Sequence, residues 1–451
     1  MRTPTPVPSP PVVINDNAAW CWFQDERAVV DPGAGLLLVG SVASADGPDG
    51  ARRDGNIELA VVDLGTGASE VVVLHENLEA DDHNAPALWR RADGRWLAVY
   101  TKHKTDDLTR WRISEPGDPR LWGPERRFDW SPHTGGIGVT YSNLHKLDGR
   151  LYCFARAVND DQCALVSDDD GDTWNYSGKL FTRPKIGYVN GYTRYVSTQT
   201  RIDLVTTDHH PRDYDNSIYH GYLEQGALHG TDGTVIDTRV LTGEAPSQVR
   251  LTTVLAASTV LTSSSVWGGE RMSHAWTVDI RRAADGTLAA VLSTRGGPGP
   301  GAPDSGNPGE AYERMRPVPD HRFFYARHTP GGTWRAHPLA RAGAGLLPHE
   351  QDYTGLVAID PDDLDSVYAS LPIDPRNETP LPHHEIFHGR TGDAGRTWSW
   401  TPVTENSAVD NLRPIVAPGD RTRVTLLWFR GTMASSQSYD CEAVALIRPR
   451  R

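Results

Sequence analysis

Lysine is nearly missing from this chain, with five residues in 451 (102, 104, 146, 179 and 185) beside abundant arginine. That skew points to a GC-rich coding sequence more than to a mechanism. Cysteine is scarce as well. Cys21, Cys153, Cys163 and Cys441 have no CxxC spacing, so they read as small buried hydrophobes and not as a disulfide or zinc framework. No apolar run approaches the ~18 residues of a membrane helix, and no membrane partner is expected. The opening MRTPTPVPSPPVV lacks the charged-then-apolar order of a secretory signal. The expected location is cytoplasmic, or outside the cell after a signal has been removed. Positive charge is in deficit too: the net charge is −13, which disfavours a nucleic-acid partner. An acidic substrate would need a local basic pocket against that field. Helical periodicity is the last thing lacking.

What is present is a long series of short β-branched or aromatic runs bounded by Gly, Asp, Asn and Pro, such as GLLLVGSVA, IELAVVDL, RWLAVYTK, RLYCFARAV and RVTLLWFR. Many short strands at regular spacing predict an all-β sandwich, barrel or propeller. Fourteen tryptophans suit the core of such a fold, and tryptophan faces also stack on sugars. A repeat selects the propeller. SDDDGDTW at 167–174 and TGDAGRTW at 391–398 both fit Ser/Thr-x-Asp-x-Gly-x-Thr-Trp, and TPGGTW at 329–334 is a shortened relative. This is the Asp box, a turn between neighbouring strands of sialidase-like β-propellers. Trp334 and Trp398 lie 64 residues apart, about one blade, and Trp174 and Trp334 lie 160 apart, about three. The expectation is a seven-bladed β-propeller, with six blades as second choice. Residues 1–15 read as a flexible N-terminal segment and 16–451 as a single propeller domain. The Gly/Pro-rich stretch 293–317 reads as a loop insertion, a candidate cover for a substrate cleft.

Asp-Gly turns allow a geometric argument. Residues that face each other in an antiparallel hairpin have a constant index sum. The turn Asp93-Gly94 sums to 187, and His83 with His103 gives 186. Asp148-Gly149 sums to 297, as do Tyr141 and Arg156. Asp285-Gly286 sums to 571, and His274 with Arg295 gives 569. For a turn near Arg201, Tyr192 with His210 and Arg194 with Asp208 each give 402. Chemically capable residues thus recur in pairs at the open ends of successive hairpins, where a propeller converges on its axis.

The catalytic candidates are His83, His103, Tyr141 and Arg156. The substrate-binding candidates are Asn84, Asn143, Arg194, His210, Tyr219, His220, His274 and Arg295. The catalytic set has imidazoles, a phenol and a guanidinium but no evident carboxylate pair. That chemistry suits β-elimination from a uronic acid better than ordinary glycoside hydrolysis, which uses two carboxylates. An arginine paired with the uronate neutralises it, so the neighbouring C5 proton becomes acidic enough for histidine to remove. A tyrosine hydroxyl serves as acid or as second base, and no metal is required. Two alternatives stay open. One is a sialidase-like hydrolase using Asp25, Asp208, Asp279 or Glu350, and the other is a non-catalytic glycan-binding propeller. The expected partner is an acidic poly- or oligosaccharide, and the expected state is a monomer or small homo-oligomer.

The segments WCWFQDERAVV (20–30), DDHNAPAL (81–88), VYTKH (99–103), TYSN (140–143), DHHPRDYDNSIYHGY (208–222), HAWTVDI (274–280) and NLRPIV (411–416) resemble the BNR-4 repeat family over nearly the whole chain. That family includes the seven-bladed ulvan lyases. The resemblance implies that His83 and His103 are a catalytic histidine pair, Tyr141 the catalytic tyrosine and Arg156 the charge-neutralising arginine. It also implies room for a structural calcium or zinc ion, with His209, His210 and His220 as candidate zinc ligands.

Overall fold

Short runs of Val, Ile, Leu and aromatic residues, cut every few residues by Asp-Gly and similar turns, pair with their neighbours in sequence. In the computed structural model, which describes residues 10–187, 189–257, 259, 272–296, 318, 320–347, 350 and 352–450, they form seven antiparallel sheets. Each sheet is one blade of a seven-bladed propeller. The first strands of the blades are Ala28–Asp31, Ala87–Arg90, Thr140–Leu147, Thr193–Ser197, Met272–Arg282, Val357–Asp360 and Asp410–Val416. First strands of neighbouring blades touch one another, so they line the axis. The core lies between blades, where apolar faces of adjacent sheets meet. Among the described residues no helix is long and apolar enough to cross a membrane.

The ring closes through its ends. Val12–Asn15 pairs antiparallel with Ser438–Pro449 and becomes the outermost strand of the seventh blade. This corrects the expected flexible segment 1–15, because its last four residues are a strand. Their VVIN sequence is strand-like, but the proline-rich residues before it masked that signal. The tryptophan spacing also needs correction. Trp174 closes a turn of the third blade and Trp334 one of the fifth, so two blades separate them, not three. The fourth blade is lengthened by Val235–Asp237 and Thr252–Leu255, and the fifth by the span between Gly296 and His321. Of the proposed insertion 293–317, residues 293–296 end a strand and 297–317 lie outside the described residues.

Both full Asp boxes join the third and fourth strands of their blades, and they satisfy the turn identically. Asp169 accepts from the backbone and hydroxyl of Thr173 at 2.8 and 2.6 Å, and Gly171 N donates to Ser167 Oγ at 2.7 Å. Asp393, Thr397, Gly395 and Thr391 repeat the arrangement. The glycines are obligatory on two counts. Gly171 has φ +97°, and a Cβ there would sit 2.4 Å from Leu97 Cδ2 of the preceding blade; Gly395 has φ +92° and would meet Tyr325 at 2.4 Å. Gly171→Ala is therefore expected to lower unfolding stability by about 1–3 kcal/mol, read as a shift in denaturant midpoint. A midpoint unchanged from wild type would contradict this account.

Register follows the index sums until the strands approach the axis. Ala87 faces Val99 and Arg90 faces Trp96, all on the sum 186 that joins His83 to His103. Three first strands then carry one extra residue in left-handed conformation: Tyr141 (φ 71°), His274 (φ 55°) and Arg413 (φ 51°). These are β-bulges, which bend the strand and re-aim its side chains. As a result Arg156 faces Thr140 instead of Tyr141, and Arg295 faces Ser273 instead of His274. In the fourth blade Thr193 faces Thr206 and Arg194 faces Val205, a sum of 399, so the expected Arg194–Asp208 pairing does not form.

Candidate active site

The histidine pair is set by a local turn and a hairpin. Asp81 caps the short 3-10 turn Asp82–Asn84 by accepting a hydrogen bond from His83 N at 3.0 Å. The hairpin beyond it delivers His103. The two imidazoles stack with centroids 3.7 Å apart and planes within 13°. Asp81 lies between them: its Oδ1 is 2.6 Å from His83 Nδ1 and its Oδ2 is 2.9 Å from His103 Nδ1. A second carboxylate, Asp82 Oδ1, is 2.8 Å from His83 Nδ1. Burial opposes charge on His83, yet Cys21, Asp81, Tyr141 and Asp82 outweigh it and raise its pKa well above the usual imidazole value. Burial, helped by the charge on His83, lowers that of His103. The pair is therefore unequal: His83 keeps its proton to higher pH and His103 gives its proton up at lower pH.

Arg156 ends the second strand of the third blade and is 2 % exposed. Its guanidinium carbon lies 5.0 Å from the Tyr141 ring and 5.3 Å from the Tyr192 ring. Its Nε and Nη1 have no hydrogen-bond partner among the described residues. A buried cation with unused donors is costly unless an anion completes it. Tyr192 stands beside it. His210 Nδ1 accepts from Arg212 N at 3.2 Å, so the ring proton sits on Nε2 and points at Tyr192 Oη, 3.1 Å away. Burial, with Arg212 and Arg156 nearby, keeps His210 neutral, its pKa well below the ordinary value. Burial also raises the Tyr192 phenol, against the pull of Arg156. Tyr192 thus keeps its own proton and, already receiving one hydrogen bond, can donate another.

These groups surround a pocket of about 930 Å³. His83, His103, Arg156, Tyr192 and His210 line it together with Arg212, Glu350, Tyr353 and Gln437. Of the four catalytic candidates, three line the cavity. Tyr141 packs behind them with its ring 5.7 Å from His83 and its hydroxyl buried without a partner among the described residues.

Among the substrate-binding candidates only His210 lines the pocket. Asn84 is buried and donates to Glu79, and Asn143 accepts from Asp25 N. Arg194 is enclosed near the axis on Glu26, at 2.7 Å. Tyr219 packs in the fourth blade's core, and His220 is enclosed between Thr231 and Asp203. His274, pushed down to about 4 by burial and Arg295, bonds to Ser273. Arg295 supports the wall from behind by donating to Arg212 O at 3.0 Å and pairing with Asp352. Sequence reasoning named Glu350 only as a carboxylate for the hydrolase alternative and assigned no role to Tyr192, Arg212, Tyr353 or Gln437. Tyr192 had a signal, since the hairpin argument pairs it with His210. Gln437 had none.

Two of the expected zinc ligands, His210 and His220, do not meet at one place. His210 is engaged by Tyr192 and His220 by Asp203, in different places. Asp81, His83 and His103 do bring ligand atoms within 4.8 Å of one another, as do Cys21, Asp82 and His83. Parallel rings 3.7 Å apart, however, cannot both aim an in-plane lone pair at one ion.

Residues 51–342 match the BNR repeat-containing family. No curated protein sequence matches the chain. In three dimensions it is similar to an ulvan lyase of polysaccharide lyase family PL25 bound to -[GlcA(1-4)Rha3S]-, with TM-score 0.62 and 12% identity over 97% of this chain and 98% of that one. It is likewise similar to the polysaccharide lyase Uly1, with TM-score 0.56 and 12% identity over 98% of this chain and 99% of that one. At such identity the likeness establishes the shared propeller fold.

Proposed function

This chain belongs to the BNR repeat-containing family, and from that premise we propose that it is a lyase cleaving a uronate-containing poly- or oligosaccharide by β-elimination. The observation that carries the reading is Arg156, a buried guanidinium with two unused donors on a pocket that also holds a neutral imidazole. The uronate carboxylate pairs with Arg156, which stabilises the enolate-like charge that develops as C5 loses its proton. His103 takes that proton on Nε2, because its Nδ1–H is held by Asp81. The C4–O4 bond breaks, a C4–C5 double bond forms, and the departing oxygen receives a proton from Tyr192 or from His83. The likeness to an ulvan lyase bound to a glucuronate–rhamnose fragment supports a glycan of this kind as substrate.

Incubating the protein with acidic polysaccharides and following the ultraviolet absorbance of the unsaturated uronate tests this. No absorbance with any uronate-containing glycan would defeat the proposal. One observation favours a second reading: Glu350 lines the pocket, and burial raises its pKa as a general acid requires. The other carboxylates considered for a hydrolase, Asp25, Asp208 and Asp279, do not line it. Hydrolysis would give new reducing ends without that absorbance.

A further inference from the structure

We propose that Asp81 is the positioning residue of this pocket, one carboxylate that orients both imidazoles at once, and that Gln437 from the far end of the chain fixes its rotamer. The proposal rests on the lyase reading for its kinetic consequence but not for its structural one. Three observations carry it. Each oxygen of Asp81 serves a different ring: Oδ1 lies 2.6 Å from His83 Nδ1 and Oδ2 2.9 Å from His103 Nδ1. A carboxylate only accepts, so both Nδ1 atoms carry protons and both Nε2 atoms are left for other work. The backbone of His83 binds Oδ1 as well, at 3.0 Å, so the turn itself sets the carboxylate's place. Finally, Gln437 Nε2 donates to Oδ2 at 2.5 Å across 356 residues of sequence.

Gln437 sits at the tip of the hairpin between Arg423–Ser435 and Ser438–Pro449. That tip is pinned next to the histidine turn, because Asp82 N donates to Ser436 O at 2.9 Å and Ser438 Oγ donates to Asp46 at 2.6 Å. The last blade thus reaches over the first and second to complete the support for the histidines. One carboxylate shared by two stacked rings favours an unequal pair, since a cation on one ring opposes a cation on the other and Asp82 adds its carboxylate to the His83 side alone. Asp82 and Cys21 face His83 from its buried side, with Tyr141 and Tyr192 on the third and fourth blades. Glu350 and Tyr353, also on the pocket, interact with His83, and Tyr439 interacts with Asp81 and Asp82. His103 has the smaller set of His83, Asp81 and Arg156, with Glu79 on its backbone nitrogen. The asymmetry places the charge on His83, the more buried of the two rings, and leaves His103 as acceptor.

The test uses the whole chain. Nitrogen-15 spectra of the histidine side chains in the wild type should show His103 as the Nδ1–H tautomer and His83 protonated on both nitrogens near neutral pH. In Asp81→Asn the amide can donate to one ring, so His103 should change tautomer, as orientation by a carboxylate requires. With a glycan that the wild type cleaves, kcat should fall at least ~100-fold while KM changes less than ~3-fold. Gln437→Ala leaves both charges in place and should give a kcat loss of ~10–100-fold, the usual size for a supporting hydrogen bond on a catalytic ligand, with the acid limb of the pH profile displaced. A wild-type His103 found as Nε2–H, or an Asp81→Asn protein with the wild-type spectrum, would overturn the proposal whatever the activity. A correct spectrum with no elimination by the wild type would instead count against the lyase reading alone.

Discussion

Arg156→Ala is expected to abolish the unsaturated product, with kcat/KM down by at least ~100–1,000-fold, the cost of one preorganised charge-stabilising donor in a water-poor site. The reasoning is electrostatic. A uronate that keeps its full charge holds the C5 proton tightly, and among the pocket-lining residues Arg156 is the buried cation with unused donors. Arg156→Lys should recover little of the loss, because an ammonium cannot make the paired, in-plane contact of a guanidinium. The fold should survive, since Arg156 terminates a strand and its Nε and Nη1 hold no other described group in place. Initial rates with an acidic glycan, beside circular dichroism of the variants, check both statements. An Arg156→Ala protein that keeps wild-type rates would remove the charge-neutralising role from this residue.

His103→Ala is the second large effect, with an expected loss of ~100–10,000-fold in kcat, the range for removing a general base. The pH dependence follows from the same residue. A base works in its unprotonated form, and burial together with His83 lowers the His103 pKa below 6.5. Activity should therefore persist at mildly acidic pH and fall only as the pH drops through that lowered value. On the alkaline side the proton donors set the limit. His83 is raised well above the usual imidazole value and the Tyr192 phenol above 10, so the rate should hold through neutral pH and decline only in the alkaline range. A kcat/KM profile whose acid limb lies above pH 6.5 would contradict the assignment of His103.

Much of this was legible in the chain. The Asp boxes at 167–174 and 391–398 announced a propeller because each motif carries its own turn physics: an aspartate that closes the backbone, a glycine at positive φ and a tryptophan at the end. The index sum of 186 pointed His83 toward His103 because the paired strands Ala87–Arg90 and Trp96–Val99 keep that register, and the short turn Asp82–Asn84 beyond them brings His83 onto the His103 ring. Arg156 reaches the pocket for a looser reason. Its partner register slipped by one at the Tyr141 bulge, but its reach is long enough to meet the pocket anyway. At His274 the same slip was decisive, whereas in the fourth blade the turn itself lies elsewhere, so that Arg194 faces Val205. Arg194 and His274 went into the interior, where Glu26 and Ser273 engage them.

By itself, then, the sequence determined the blades, their turns and one hairpin's pair of imidazoles, because each depends on residues close along the chain. Only the tertiary structure decided which side chains share the cavity. A bulge near the axis falls at Tyr141, which packs behind the pocket, while Tyr192 of the next blade lines it. The closing of the ring carried Gln437 to Asp81, and no local pattern encodes a contact between residues 356 positions apart.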